Sequence, residues 1–174
     1  MNYNELKEKA HSNAVNHGFW KERQSNEHCL MLIITEVAEL VEADRKDNRA
    51  DVYNFLVCNA SQRAFETYVK NTIEDEFADI AIRLFDLAGA LGIDFDKMKP
   101  CRYFRAFDKF SFTENAFGLV KGLSRDVIAI EKRVQFGIAY IEGWANSLKI
   151  DLPDFINRKM KYNKMRPILH GKKY

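Results

Sequence analysis

An all-α fold is predicted for this 174-residue chain by three observations. Apolar residues recur at spacings of three and four. Alternating β-branched runs are scarce. Only three prolines and eight glycines interrupt the pattern. A first helix is expected over Asn4 to His17, closed by Gly18, because glycine accepts the left-handed backbone that ends a helix. A second begins after Ser25 and Asn26 and carries HCLMLIITEVAELVEADR. Lys46 to Ser61 reads as a connection containing a short turn. A third, long helix is expected from about Gln62 to Leu91, stopped by Gly92. Pro100 and the aromatic segment Tyr103 to Phe112 read as irregular. A fourth helix opens at Thr113 or Glu114 and runs to about Ile128, and a fifth covers Lys132 to Leu148. Asp151-Leu152-Pro153-Asp154 is a helix start with proline in the first turn, leading to a short helix that ends near Tyr162. Two hairpins then make a four-helix-bundle-like domain spanning 1–174, flanked by the N-terminal helix and the short C-terminal one. A faint repeat (Thr35-Glu36-Val37-Ala38 against Thr113-Glu114-Asn115-Ala116) fits two related hairpins, or only two similar helix ends.

Composition bounds the function. Apolar residues make up 47% and charged residues 30%, which excludes a disordered chain and a membrane span. The N-terminus MNYNELKEKA has no apolar stretch of the secretory kind. Three scattered cysteines, without a CxxC, supply neither a disulfide framework nor a zinc knuckle. A reduced, cytoplasmic protein is expected. The net charge is +2, but all 25 acidic residues and 20 of the 27 basic ones precede Arg158, leaving 1–157 at −5 and a purely basic tail at 158–174. Such a tail either meets an anion or is solvated. Its residues after about Asn163 are expected to be mobile without an anion.

The acidic residues hold the strongest signal. Cys29, Leu32, Ile33, Glu36, Leu40 and Ala43 share one face of a helix, with Glu39 at its margin. Val69, Ile73, Glu76, Ile80, Arg83 and Leu87 share a face of the next long helix, with Asp79 beside Glu76. Arg83 is placed to pair with Asp79, and Asp75, Glu42 and Asp86 read as outer or supporting groups. Taken singly, ExxE and ExxD are ordinary solvated helix faces. Taken together, two inward acid pairs converge four carboxylates, which repel unless cations or protons intervene. An all-oxygen set suits Mg2+ or Mn2+. A di-iron bundle would need two ExxH motifs, and only Glu8-Lys9-Ala10-His11 is present.

EVAELVEADR followed by EDEFADIAIRLFDLAGALGID resembles the MazG-like, all-α nucleoside triphosphate pyrophosphohydrolases. Phe19-Trp20 with Lys21 and Arg23, and the tail KMKYNKMRPILHGKKY, add to the likeness. It covers most of 17–94 and 150–174, whereas 95–149 matches only as helices. Thr35 stands where the family often doubles its acid, and Phe117 falls opposite Glu39 in the second half, so that half makes no equivalent site. The resemblance implies hydrolysis of a nucleoside triphosphate, in the first instance a deoxynucleoside triphosphate, to monophosphate and pyrophosphate with Mg2+. Glu36, Glu39, Glu76 and Asp79 would hold metal, and Glu36 or Glu39 would take the proton of the attacking water. Lys161, Asn163 and Arg166 would meet phosphate, as would Lys21 and Arg23. Trp20 would stack on the base or anchor its loop.

No GxxxxGK[ST] loop and no Ser-His-Asp or Cys-His arrangement is present. The aromatic cluster Tyr103, Phe104, Phe107, Phe110 and Phe112, interleaved with Arg102, Arg105 and Lys109, reads as packing rather than a nucleic-acid surface. Tyr140 and Trp144 read as core or interface. The competing functions are a non-enzymatic nucleic-acid-binding module using the basic tail, and an inactive scaffold. A homodimer or higher assembly is also expected, because Phe77, Ala81, Leu84, Ala88 and Leu91 form a second apolar stripe.

Overall fold

The computed structural model describes residues 2–99, 101, 105–171 and 173. Among them are eight α-helices and no strand: α1 (Tyr3–Asn16), α2 (Asn26–Arg45), α3 (Val52–Val57), α4 (Gln62–Tyr68), α5 (Ile73–Ala90), α6 (Phe112–Leu123), α7 (Ile130–Ser147) and α8 (Leu152–Asn163). Two 3₁₀ turns, Phe107–Lys109 and Ile168–Gly171, join them. Pro100, Arg102, Tyr103, Phe104 and Lys172 lie outside the described residues.

Side-chain caps set most of the helix starts. Asn2, Ser25, Asp51, Ser61, Thr72, Ser111 and Asp151 each accept a backbone N–H of the first turn. At Ser111 the exchange is reciprocal, since Glu114 returns a bond to the cap's backbone N–H at 2.8 Å. The expected helix from Gln62 to Leu91 is broken at residues 69–72. Asn71 takes a left-handed φ of 61°, and the Thr72 hydroxyl caps Asp75 at 3.3 Å. Asparagine tolerates that conformation and threonine prefers a cap to a helix interior, so this pair ends one helix and starts the next. Likewise α6 stops at Leu123, short of the expected Ile128.

α5 is the central element, with twelve of its eighteen residues buried. It packs against α1, α2, α7 and α8, while α6 pairs with α7 and touches α2. Two contacts depend on glycine. A side chain on Gly137 would strike Leu84 and Leu123, so α5 and α7 approach closely there. A Cβ on Gly89 would lie 2.4 Å from that of His11, so α1 rests on α5 at this point. Of the two apolar stripes, the one through Phe77, Ala81, Leu84 and Ala88 is covered within the chain, and Leu91 at its end is half-buried. Phe77, Ala81, Leu84 and Ala88 are at most 1% exposed, and Phe77 packs edge-on against Trp144 at 5.0 Å. Tyr140 and Trp144 are core, and the Tyr140 hydroxyl donates to the Asn115 carbonyl at 2.8 Å. Of the described residues in the basic and aromatic segment before α6, Phe107 is buried against Tyr140 of α7 and the Arg105 guanidinium lies 3.8 Å above the Phe110 ring. None of the described helices is long and apolar enough to cross a membrane.

Candidate functional site

α2 and α5 run antiparallel, and the groove between them opens into a cavity of about 610 Å³. α1 and the loop after it form one wall, and α8 with the C-terminal segment forms another. Carboxylate oxygens of Glu36, Glu76 and Asp79 lie within 4.8 Å of one another. Glu36 and Glu76 are buried, Asp79 is half-buried, and Glu39 lines the same cavity from an exposed position. Three of the four acids expected to converge therefore meet, and Glu39 lines the same cavity outside that cluster.

Their neighbours differ from the expectation. Arg83 pairs with Glu36, Nε to Oε1 at 2.5 Å, rather than with Asp79. The partner of Asp79 comes from α8: Lys159 Nζ donates to Asp79 Oδ2 at 2.7 Å and to Asp75 Oδ2 at 2.8 Å. Lys159 is only 4% exposed and Asp75 1%, so Asp75 is an interior residue and not an outer-face one. Burial lowers the tendency of the Lys159 ammonium to keep its proton, yet Asp79 and Asp75 more than offset this and raise its pKa. The Asp75 carboxyl is pushed up to about 6 by burial against the opposing pull of Lys159.

Glu76 has no such partner among the described residues. Its Oε2 is buried without a hydrogen bond. Burial, then the charges of Asp79 and Asp75, push its carboxyl up to about 9. Burial also raises Glu36, with Asp79 adding to the effect. The first turn of α5 tolerates this crowding in part because a helix N-terminus favours negative charge. Among the described residues Arg83 and Lys159 ion-pair with three of five neighbouring acids (Glu36, Asp75, Asp79); Glu39 is exposed to solvent, and the unmet demand falls on the buried Glu76. An oxygen-only cluster with an unpartnered buried carboxylate oxygen fits a hard divalent cation.

Of the expected substrate-binding residues, Trp20, Lys21, Asn163 and Arg166 line the cavity. Arg23 and Lys161 do not: both are exposed, and Lys161 stands two residues past the inward Lys159, on the other side of α8. The described residues of the C-terminal segment contact α1 and the loop after it. Leu169 donates its N–H to the His17 carbonyl at 2.8 Å, and the His170 ring packs edge-on against His17 and Phe19. Arg166 reaches the His170 carbonyl at 3.2 Å. Burial, then the charge of Arg166, drives the His170 imidazole down to about 3, so it is neutral here.

Two features escaped the sequence reading. Lys159 falls in the stripe Leu152, Phe155, Ile156, Lys159, Asn163, a charge within an apolar face, which is the same anomaly that marks Glu36. The second feature is the cluster at the far end of the groove. Asp86 Oδ1 accepts from His11 Nδ1 at 2.8 Å and from Trp20 Nε1 at 2.9 Å. Burial raises the Asp86 carboxyl while these two bonds oppose the rise, and the bond to Asp86 raises His11.

Comparisons of the chain with protein-family models, with curated proteins and with solved structures find no match.

Proposed function

We propose that this chain hydrolyses a nucleoside triphosphate, in the first instance a deoxynucleoside triphosphate, to monophosphate and pyrophosphate with Mg2+ or Mn2+. This is the chemistry that the MazG-like resemblance implies. The observation that carries it is the meeting of Glu36, Glu76 and Asp79 within 4.8 Å, with the buried Glu76 Oε2 left unpartnered. Those three carboxylates, with Glu39, are the residues that would hold the metal. When bound, a divalent cation neutralises the triphosphate and lowers the pKa of a water beside the α-phosphorus.

The chain's own groups divide the remaining work. Glu36 is held by Arg83, whereas Glu39 makes no ion pair among the described residues and is exposed in the cavity wall. Glu39 is thus the carboxylate best placed to take a proton from water. Lys159 steadies the Asp79 carboxylate. Arg166, Lys21 and Asn163 are the polar groups in the walls for phosphate oxygens, and arginine suits that role through its paired donors. The rival reading, nucleic-acid binding by a basic tail, loses support because Lys159 is buried and Arg166 lines the cavity. The test is a panel of ribo- and deoxynucleoside triphosphates with Mg2+, assayed for pyrophosphate. Release of orthophosphate with a diphosphate product, or no turnover at all, refutes the assignment.

A further inference from the structure

The proposed hydrolysis uses only one end of the cavity. Asp79 and Asp86 lie seven residues apart on α5, two turns or about 10 Å along the groove. The acid end is built for metal and phosphate. The far end is walled by Phe19, Trp20, Leu32 and Ile82, with Cys29 and Asp86 between them. This places aromatic and apolar side chains at the reach of a nucleotide's base, with the held Asp86 carboxylate among them and the polar Asn13, Gln24 and His28 lining the same cavity.

The geometry of that carboxylate is directional. Oδ1 takes both bonds, from His11 Nδ1 and Trp20 Nε1, while Oδ2 takes neither. The side chain is 20% exposed and lines the cavity. An ionised carboxylate can only accept hydrogen bonds. The chain therefore holds an acceptor steady, by two donors from outside α5, at a position the metal chemistry does not need. His11 reaches it because Gly89, one turn beyond Asp86, has no side chain to hold α1 away.

We propose that Asp86 is a specificity residue whose Oδ2 accepts a hydrogen bond from the exocyclic amino group of the nucleobase. The far end of the cavity would thereby select amino-bearing bases over their keto counterparts. This rests on the nucleotide reading of the acid end. A keto oxygen in the same place would face a carboxylate oxygen, acceptor against acceptor, which a buried site tolerates poorly. Cytosine against uracil and adenine against hypoxanthine are the pairs that differ in this way.

The experiment uses the full chain with Mg2+ and two readouts. Binding of the α,β-imido analogues of dCTP, dUTP, dATP and dITP is measured by calorimetry, and turnover of the ordinary triphosphates by pyrophosphate release. The amino member should be favoured by roughly tenfold or more for at least one ring size. Asp86→Asn should level or invert that ratio. Its amide oxygen can still accept from His11 and Trp20, which leaves the NH2 group, a donor, in the place of Oδ2. Trp20→Phe, which keeps a ring but removes one of the two donors, should lower the ratio without inverting it. Amino-to-keto ratios within about twofold in the wild type, a ratio unaltered in Asp86→Asn, or, should that variant fail to fold, a ratio unaltered in Trp20→Phe, each overturn the proposal. So does failure of all four analogues to bind. Turnover without a base preference removes this proposal and leaves the hydrolase. An amino preference in binding, without turnover, removes the hydrolase and leaves the base site.

Discussion

The α2–α5 and α6–α7 pairs are both helical hairpins of one bundle, and their interiors are filled by opposite means. Between α6 and α7 lie Leu119, Leu123, Ile138, Tyr140 and Trp144, all at most 1% exposed. The two buried amides there are answered, while Arg133 Nε of α7 has no hydrogen bond among the described residues. Asn115 accepts from Arg105 and donates to the Phe107 carbonyl, and Gln135 donates to the Lys99 carbonyl. Between α2 and α5, Glu36 and Glu76 occupy interior positions, and Glu76 Oε2 goes unanswered. Glu114 aligns with Glu36 in the faint repeat, yet it is exposed and closes the capping box at Ser111. A glutamate in a helix thus says little until its local duties are counted. Glu114 has one, and Glu76 has none that the fold supplies.

The contrast can be broken most severely at Lys159. Lys159→Met leaves Asp75 and Asp79 without their shared cation, and loss of one partner from a buried pair costs about 3–5 kcal/mol. Urea denaturation should show an unfolding free energy lower by that amount, and unchanged stability would mean that the acids are neutralised elsewhere. Next come the acids themselves. Glu39→Gln and Asp79→Asn should each slow pyrophosphate release by at least ~100-fold while the fold persists. Glu114→Gln, in the second hairpin, should turn over like the wild type. Equal losses in all three would mean that the difference between the hairpins has no bearing on catalysis.

A smaller effect belongs to Arg166. Arg166→Ala should raise KM by about tenfold, since a charge-assisted contact to phosphate contributes roughly 1.5–3 kcal/mol. Unaltered KM together with lost nucleic-acid retention would favour the rival reading of the tail. The gentlest probe is pH, with metal removed by chelator. Unfolded, Glu76 ionises near 4.5, and folded it holds its proton up to about 9. Across that window the folded state binds more protons than the unfolded one, so stability falls as pH rises. Thermal melts should move down between pH 5 and 9, and Glu76→Gln should flatten the trend. An equal slope in both proteins would locate the titration in another group.

The helical character, the two hairpins and the four acids were legible because each rests on local spacing. Glu36 and Glu76 break an apolar stripe, and a period of 3.6 residues exposes such a break in the sequence. The end of α4 was missed because Asn71-Thr72 is a stop signal only when the chain turns there. Asp86 was read as peripheral because its partners, His11 and Trp20, are 75 and 66 residues away. The contacts of the tail were hidden for a related reason: its seven cations imply repulsion, but Lys159 finds Asp75 and Asp79 only once α8 lies against α5, and Leu169 meets His17 only once the tail returns to α1. Which of the two apolar stripes the second hairpin covers was not legible either, because the packing of α7 on the stripe from Phe77 to Ala88 joins residues far apart in sequence.

Gly89 has one more consequence. It touches no catalytic group, and its whole contribution is the space it leaves for His11. A methyl group at 89 would lift α1 off α5 and slacken the clamp on Asp86, while Asp79, ten residues back along α5, kept its place. On the base-reading role proposed for Asp86, selectivity and rate would then answer to different residues: a change at 89, which would meet neither substrate nor metal, would retune which base is accepted.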